Sequence, residues 1–106
     1  MNAELKERWI TALRSREYKQ GTGNLCTVEY GTRFYCCLGV VANIIDPNGW
    51  VPVDYNHDLR WHGNISDLPD KIATGIGLYN QSVLIEMNDD EEAGFNEIAD
   101  WIETNL

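Results

Sequence analysis

The sequence predicts a small α+β domain that is mostly helical, with one β-hairpin and a buried central helix. Three features lead to this prediction. The apolar stretch at residues 34–45 has helical spacing, residues 25–36 have the alternation of a hairpin, and amphipathic segments stand near both ends of the chain. A chain of 106 residues is long enough to bury one core and too short for two, so we expect a single domain over residues 1–106.

The central helix is predicted at about residues 37–45, after a strand that ends near Cys36. Its apolar stripe has the spacing of one helix face and comprises Phe34, Cys37, Leu38, Val41, Ala42 and Ile45. Gly39 lowers helix stability relative to alanine but allows another backbone to approach closely. Pro47 and the Asn-Gly pair that follows it indicate that the helix ends near residue 45.

The hairpin is predicted over about residues 25–36, with its turn centred on Gly31. That centre gives three opposing pairs, which are Cys26 with Cys36, Val28 with Phe34, and Glu29 with Arg33. One face of the hairpin is then apolar, and the other carries an opposite-charge pair. The register predicts that Cys26 and Cys36 are close neighbours, which we interpret as two small apolar residues beneath the core rather than a redox pair.

The other elements of the N-terminal half are a helix, a loop and an edge strand. The helix is predicted over about residues 3–16, with Asn2 as its N-cap. Residues 19–24 are predicted as a loop, because their Gly-Thr-Gly lacks the flanking strand and helix that a phosphate-binding loop requires. Residues 50–53 have strand character, and Pro52 confines that strand to a sheet edge.

Three helices are predicted in the C-terminal third of the chain. The first begins near Leu68 and is ended by Gly77, and the second covers about residues 81–87. Residues 88–90 are predicted as a turn that caps the third helix. The buried stripe of that helix comprises Phe95, Ile98, Ala99 and Ile102, with Trp101 at its margin.

The charge of the chain is concentrated at its C-terminus. The net charge is −9, and residues 86–106 carry eight acidic residues and no basic one. We predict a partner-binding surface made of the acidic residues Asp89, Asp90, Glu91, Glu92, Glu97, Asp100 and Glu103. Nucleic-acid phosphates are bound by clusters of Lys and Arg, so direct binding to nucleic acid is not expected.

Aromatic residues and histidines in the segment after the central helix form a second candidate site. The segment gives no clear secondary-structure prediction, and it is long for a simple connection. Its candidate ligand-binding residues are Trp50, Tyr55, His57, Trp61 and His62. Arg60 is the basic residue closest to them in sequence, and a site for phosphate would require more positive charge. A loop fixed to the core by its aromatic side chains is the competing interpretation.

The three cysteines are interpreted as reduced thiols that act as small hydrophobic residues. A thiol enzyme would use Cys36 or Cys37 as nucleophile, with His57 or His62 as base. Asn88 or Asp89 would orient that base. The cysteines lie in the most apolar stretch, where burial raises a thiol pKa and makes the thiol inert, so we do not expect an enzyme. No metal or other cofactor is expected, because the histidines are far from the cysteines in sequence.

The sequence has neither an apolar leader nor an apolar run of membrane-spanning length. Its first 19 residues are charged throughout, and no run approaches the roughly 18 residues that a spanning helix needs. We therefore expect a cytoplasmic location and no membrane partner.

Several short motifs are distributed over most of the chain. They are Glu-Tyr-Lys-Gln-Gly at 17–21, Cys-Cys-Leu-Gly-Val at 36–40, Leu-Pro at 68–69, Gly-Leu at 77–78, Met-Asn-Asp at 87–89 and Phe-Asn-Glu-Ile-Ala-Asp-Trp-Ile-Glu at 95–103. As a set, they resemble those of a family of small proteins encoded by tailed phages and bacteria. The resemblance implies a phage or prophage setting in a host cell, and it implies no mechanism, because none of the motifs is a chemical signature.

The function expected from these observations is binding without catalysis. An acidic phage-type protein could bind a host or phage protein, and could inhibit a defence factor by presenting carboxylates where phosphates would sit. The alternatives are a small-ligand or nucleotide-binding protein that uses the aromatic segment, and a thiol enzyme. The competing explanation of the acidity is that it only keeps the protein soluble.

Overall fold

The computed structural model of the protein describes residues 1–53 and 57–106 and confirms the α+β class. Its α-helices are α1 (Ala3–Arg14), α2 (Cys37–Ile45), α3 (Asp70–Gly75), α4 (Gln81–Ile85) and α5 (Phe95–Asn105). Its strands are β1 (Lys19–Gln20), β2 (Cys26–Glu29), β3 (Thr32–Tyr35), β4 (Trp50–Pro52) and β5 (Asp58–Trp61). A π-helical turn, Glu86–Asp90, continues α4.

The five strands form one sheet in the order β1-β3-β2-β5-β4. Strand β1 is parallel to β3, and the remaining neighbours are antiparallel. The sheet is larger than the sequence predicts, because β1 falls in the predicted loop and β5 falls in the segment without a prediction. The expected edge position of β4 is confirmed. The Val53 N–H donates to the Asp58 carbonyl, so the neighbouring Pro52, which has no N–H, occupies an outward position of the open edge.

The hairpin register differs from the predicted one by one residue. Cys26 lies opposite Tyr35 and not opposite Cys36. The turn consists of Tyr30 and Gly31, which both have positive φ angles of 51° and 77°. Two left-handed residues make a two-residue turn of the type I′ geometry that matches strand twist, so the centre of the hairpin lies between these residues and not at Gly31.

The predicted central helix is confirmed as α2, which is buried from Cys37 to Ala42. Its N-cap is Cys36, whose extended backbone places Sγ 3.4 Å from the Gly39 N–H. Gly39 allows the close approach that the sequence predicts, because a Cβ there would collide with the Leu25 carbonyl oxygen. Helix α2 is therefore packed directly against the backbone that leads into β2.

Helix α1 begins where the sequence predicts and ends two residues earlier. Asn2 caps it, since the Asn2 Oδ1 accepts a hydrogen bond of 2.8 Å from the Leu5 N–H. The helix ends at Arg14 rather than Arg16, because Arg16 has a φ angle of 65° and cannot continue a right-handed helix.

The bounds of the next helices differ from the predicted ones. Helix α3 begins at Asp70 and not near Leu68, because Pro69 stands at its N-cap with an extended ψ angle of 138°. It ends before Gly77, whose φ angle is 77°. Helix α4 ends at Ile85, and the predicted turn at residues 88–90 is instead the second part of the π-helical turn.

Helix α5 buries the stripe predicted for it, which comprises Phe95, Ile98, Ala99 and Ile102. Its N-cap is Gly94, so the prediction that residues 88–90 cap this helix is wrong. The helix packs along α1, where Leu5, Trp9 and Leu13 complete the shared core. The Trp9 Nε1 donates a hydrogen bond of 2.9 Å to the Cys37 carbonyl, which fixes α1 to the first turn of α2.

Candidate functional site

The seven acidic residues predicted to bind a partner fall into three groups. Asp90, Glu91, Glu92 and Glu97 are exposed, and none of them forms an ion pair with a basic residue in the described part of the chain. We call these four residues the free-carboxylate surface. They follow one another from the end of the π-helical turn to the first turn of α5.

Asp100 and Glu103 do not belong to that surface, because both pair with Arg14. The Arg14 guanidinium lies 2.6 Å from the Asp100 carboxylate and 3.2 Å from the Glu103 carboxylate. These two hydrogen bonds raise the pKa of Arg14. The Lys6 Nζ also donates to the Glu103 backbone carbonyl. These two members of the predicted partner-binding surface are therefore paired with a basic residue of α1 and stand apart from the four unpaired carboxylates.

Asp89 is half-buried and serves the fold. Its Oδ1 accepts hydrogen bonds from the Gly23 N–H at 3.1 Å and from the Asn88 Nδ2 at 2.8 Å. The carboxylate thus fixes the loop between β1 and β2 to the π-helical turn. Because the Asp89 carboxylate already accepts two hydrogen bonds, it is less available to an external cation than the four carboxylates of the free-carboxylate surface.

Asn88 is the centre of a buried polar cluster, and 1% of its surface is exposed. Its Oδ1 accepts from the Gln20 Nε2 at 3.0 Å and from the Cys37 N–H at 3.2 Å. Its Nδ2 donates to the Gly21 carbonyl at 2.9 Å and to Asp89. Both lone pairs and both N–H bonds of the amide are therefore used, as a buried amide requires.

The cluster joins three segments that are distant in sequence. The Gln20 Nε2 also donates to the Ala93 carbonyl at 2.8 Å, so one amide connects β1 with both ends of the 88–93 segment. The Cys37 N–H is one of the first N–H groups of α2, which have no partner inside the helix. Asn88 satisfies it, and the base of the free-carboxylate surface is consequently attached to the most buried helix of the protein.

Two clefts border the free-carboxylate surface. One has a volume of about 290 Å³ and is lined by Gln20, Asn88 and Glu92 among others. The other, of about 400 Å³, is lined by Gln20, Glu97 and Arg16 among others. Because Gln20 lines both, the clefts adjoin each other on the same side of the molecule. Glu92 has a φ angle of 53°, a strained backbone conformation of the kind that concentrates at functional positions.

The aromatic candidates do not form one open site. Trp61 is fully buried, and its Nε1 donates to the Asp46 carbonyl at 3.0 Å. Trp50 is half-buried, and its ring centroid lies 6.4 Å from that of Trp61. His62 packs on Trp61 at 4.5 Å, and its Nε2 lies 2.8 Å from an oxygen of Asp46. These contacts match the competing interpretation, in which aromatic side chains fix the segment to the core.

The two remaining aromatic-segment candidates lie apart from that cluster or outside the described residues. His57 is exposed beside the hairpin tip, where it lines a small cleft with Glu29 and Tyr30. Tyr55 lies outside the described residues. Neither cleft beside Glu92 and Glu97 is lined by any of the described residues of the aromatic segment.

All three thiols are buried and reduced. Burial raises the pKa of Cys26 to about 11 and that of Cys36 to about 12, and it raises the pKa of Cys37 well above its ordinary value. The Cys37 Sγ lies 3.6 Å from the Leu84 carbonyl. His62, one of the two histidines available as a base, lies 2.8 Å from the Asp46 carboxylate instead.

Within residues 1–53 and 57–106, no group of three or more His, Cys, Asp or Glu side chains is arranged to hold a metal ion. Across the same residues, no helix has the length and apolar character needed to cross a bilayer.

A family model matches the chain from its first residue to its last, residues 1–106, and its description reads "Domain of unknown function (DUF8296)". The chain belongs to this family. No curated protein and no solved structure matches the chain.

The polar cluster of this family member is the feature that sequence reasoning missed. Gln20, Cys37 and Asn88 lie in the short sequence motifs at 17–21, 36–40 and 87–89. The available signal was the position of Asn88 four residues after Leu84, which places an amide on the buried stripe of a helix. Buried amides are rare unless they are fully bonded, so that placement predicts a polar cluster.

Proposed function

We propose that this protein is a non-enzymatic binding protein that attaches to a positively charged surface of a host or phage protein through the free-carboxylate surface. The observation that supports the proposal is the contrast within the C-terminal acidic segment. Asp100 and Glu103 share one cation, Arg14, whereas Asp90, Glu91, Glu92 and Glu97 are exposed and form no ion pair with a basic residue among those described.

Physical chemistry favours a cationic partner for this surface. Four carboxylates within eight residues repel one another, and a partner that carries Lys or Arg relieves that repulsion when it binds. Exposed charges act over a Debye length of roughly 8 Å at physiological salt, so they accelerate encounter and select partners by sign. In a phage setting, such a row of carboxylates could occupy the phosphate-binding groove of a host defence factor and inhibit it.

The attachment of the surface to the core supports the same proposal. Asn88 and Gln20 hold the segment on both sides of Glu91 and Glu92, so these carboxylates are mounted on a fixed backbone. A fixed arrangement loses little conformational entropy on binding, which raises affinity for a partner with a matching arrangement of cations.

The test compares two variants that have the same net charge. Glu91→Gln with Glu92→Gln removes two charges from the free-carboxylate surface. Glu29→Gln with Asp70→Asn removes two charges from exposed positions elsewhere, and each pair changes the net charge from −9 to −7. Immobilised wild type and both variants are incubated with host lysate at about 0.05 M and about 0.5 M NaCl, which shortens the Debye length several-fold.

We expect the wild type and the Glu29/Asp70 variant to retain the same host protein at low salt and to release it at high salt. The Glu91/Glu92 variant should retain little of it. Capture that ignores salt, capture that is equal for both variants, or no capture at all would each contradict the proposal.

The alternative functions stay predictions. A thermal-shift screen against nucleotides tests the ligand-binding alternative, since a ligand that binds the folded state alone raises the midpoint of unfolding. Labelling of the folded protein by iodoacetamide at neutral pH tests the thiol-enzyme alternative, which requires a reactive thiolate.

A further inference from the structure

We infer that the protein has a second docking surface, a groove along the outer face of α1, and that the groove accepts a short amphipathic helix with Lys or Arg near both of its ends. This inference rests on the proposed function in assuming a protein partner. It adds the shape of the partner segment and a second place where it binds, which adjoins the cleft beside Glu97 at Tyr18.

The groove has a volume of about 550 Å³. Its floor is apolar and is formed by Ala12 of α1, Ile44 of α2 and the ring of Tyr18, all of which are half-buried. Half-buried apolar side chains at the bottom of a groove gain free energy when a partner removes their remaining surface from water. The floor therefore favours an apolar ridge on the occupant.

Tyr18, which forms part of the floor, is already held in a fixed position. The Tyr18 hydroxyl accepts a hydrogen bond of 3.0 Å from the Asn43 Nδ2, and the Tyr18 ring packs edge-on against Tyr35 with centroids 5.0 Å apart. A side chain that is held by both its ring and its hydroxyl does not have to be ordered when a partner arrives. The groove is thus preformed, which lowers the entropic cost of binding.

The charges on the rim determine the charge of the occupant. Glu4 and Glu7 stand at one end of the groove, and Glu17 stands at the other, beyond the end of α1. Arg8 is the basic residue of the rim, so the rim has a net charge of −2. All four side chains are exposed and none forms an ion pair within the described part of the chain. An occupant with cations at both ends and an acid or polar residue opposite Arg8 is complementary to this rim.

The dimensions of the groove fit a helix of about three turns. The groove follows α1 from Glu4 to Ser15, a rise of about 16 Å along the helix axis. The groove-facing positions of α1 include Thr11 and Ser15, whose small side chains allow another helix to approach closely. Recognition of an amphipathic helix in a groove between two helices uses anchors on successive turns, which matches a floor made of three apolar groups.

The test uses a synthetic peptide of about 14 residues, made of Leu, Ala, Gln and Lys, with leucines on one face and lysines at both ends. A control peptide has the same composition with its leucines redistributed around the helix. Each peptide is titrated into isotope-labelled protein, and amide chemical shifts are followed by two-dimensional NMR. We expect the amphipathic peptide to shift the amides of Thr11, Ala12, Ser15, Tyr18 and Ile44, and the control peptide to leave them unchanged.

Two variants locate the site. Thr11→Tyr fills the groove from an exposed position, so it should abolish binding without disturbing the core, and Thr11→Ser is its matched control. Neutralising Glu4, Glu7 and Glu17 to Gln should weaken binding about tenfold, from the loss of several exposed charge pairs. The inference is overturned if the amphipathic peptide does not bind, if the control peptide binds equally well, or if Thr11→Tyr has no effect.

The failure of this inference is distinguishable from the failure of the proposed function. The Glu91/Glu92 variant should lose the captured host protein and still bind the peptide in the groove. The chemical shift changes at the groove could also arise from self-association of the protein. In that case sedimentation would show a dimer in the absence of peptide, and that result would also overturn the inference. If the host protein is captured and no peptide enters the groove, the proposed function stands and the inference does not.

Discussion

Replacing Asn88 with alanine should destabilise the protein far more than replacing an exposed asparagine. The change removes the acceptor of the Cys37 N–H, which is fully buried, and the donor to the Gly21 carbonyl. A stranded buried N–H costs about 1–3 kcal/mol, and a lost hydrogen bond to a half-buried carbonyl costs about 0.5–1.5 kcal/mol. Gln20 keeps its bond to the Ala93 carbonyl and contributes little to the loss.

The expected decrease in the free energy of unfolding is therefore about 1.5–4.5 kcal/mol, a large part of the total stability of a domain this size. Urea unfolding followed by tryptophan fluorescence measures it, with Asn96→Ala on the exposed side of α5 as the control. The control should change stability by less than about 0.5 kcal/mol. A loss below about 1 kcal/mol for Asn88→Ala would refute the reasoning that this amide joins the three segments.

Asn88→Asp gives a second, pH-dependent result at the same position. The new carboxyl keeps the acceptors but faces Asp89 and the Gly21 carbonyl, so burial and repulsion raise its pKa in the folded state. A group with a raised folded-state pKa adds stability below its unfolded pKa and loses it as the pH rises through the folded pKa. The variant should therefore be least stable near neutral pH and recover part of the loss in acid.

Three further outcomes follow from the backbone and the thiols. Gly39→Ala should lower the free energy of unfolding by about 1–3 kcal/mol or more, or prevent folding, because the added methyl collides with the Leu25 carbonyl oxygen. Urea unfolding measures this. Tyr30→Asn should stabilise by about 0.5–1 kcal/mol, because asparagine tolerates the left-handed conformation that the turn requires and the fully exposed tyrosine loses no packing. The free energy of unfolding should fall as the pH rises above about 9, by up to about 1.4 kcal/mol per pH unit for each thiol. The reason is that the thiols of the unfolded chain ionise there, whereas Cys26 and Cys36 in the folded protein stay neutral until pH about 11 and about 12. Unfolding at a series of alkaline pH values measures this.

Matched controls accompany these predictions. Gly75→Ala adds a methyl in open space at the end of α3 and should be neutral or stabilising, so equal losses at Gly39 and Gly75 would contradict the role given to Gly39. Tyr79→Asn changes an exposed tyrosine without a positive φ angle, and the same gain there would contradict the turn argument. Stability that does not change with alkaline pH would contradict the burial of the thiols.

Local signals in the sequence were sufficient for the two helices that form the centre of the core. The bounds of α2 are those predicted, because its apolar stripe is continuous and Pro47 lies directly beyond it. The buried stripe of α5 was predicted correctly for the same reason, since its apolar residues recur at helical spacing. Both patterns are contained within a dozen residues.

Features that depend on distant contacts or on unusual backbone conformations were not predictable. The hairpin register was missed by one residue because Tyr30 adopts a conformation that tyrosine rarely adopts. Strand β1 has two polar residues, and its pairing with β3 has no local periodicity to reveal it. The pairing of Arg14 with Asp100 spans 86 residues, so the division of the acidic segment into paired and unpaired carboxylates appears only in the fold.

The most direct test of the proposed function is the dissociation constant of the captured host protein. It is measured for the wild type, the Glu29/Asp70 variant and the Glu91/Glu92 variant, and both variants have a net charge of −7. We expect the Glu29/Asp70 variant to bind like the wild type and the Glu91/Glu92 variant to bind about tenfold more weakly, with a smaller dependence on salt. Equal affinities for the two variants would mean that net charge alone matters, and would contradict a binding role for these particular carboxylates.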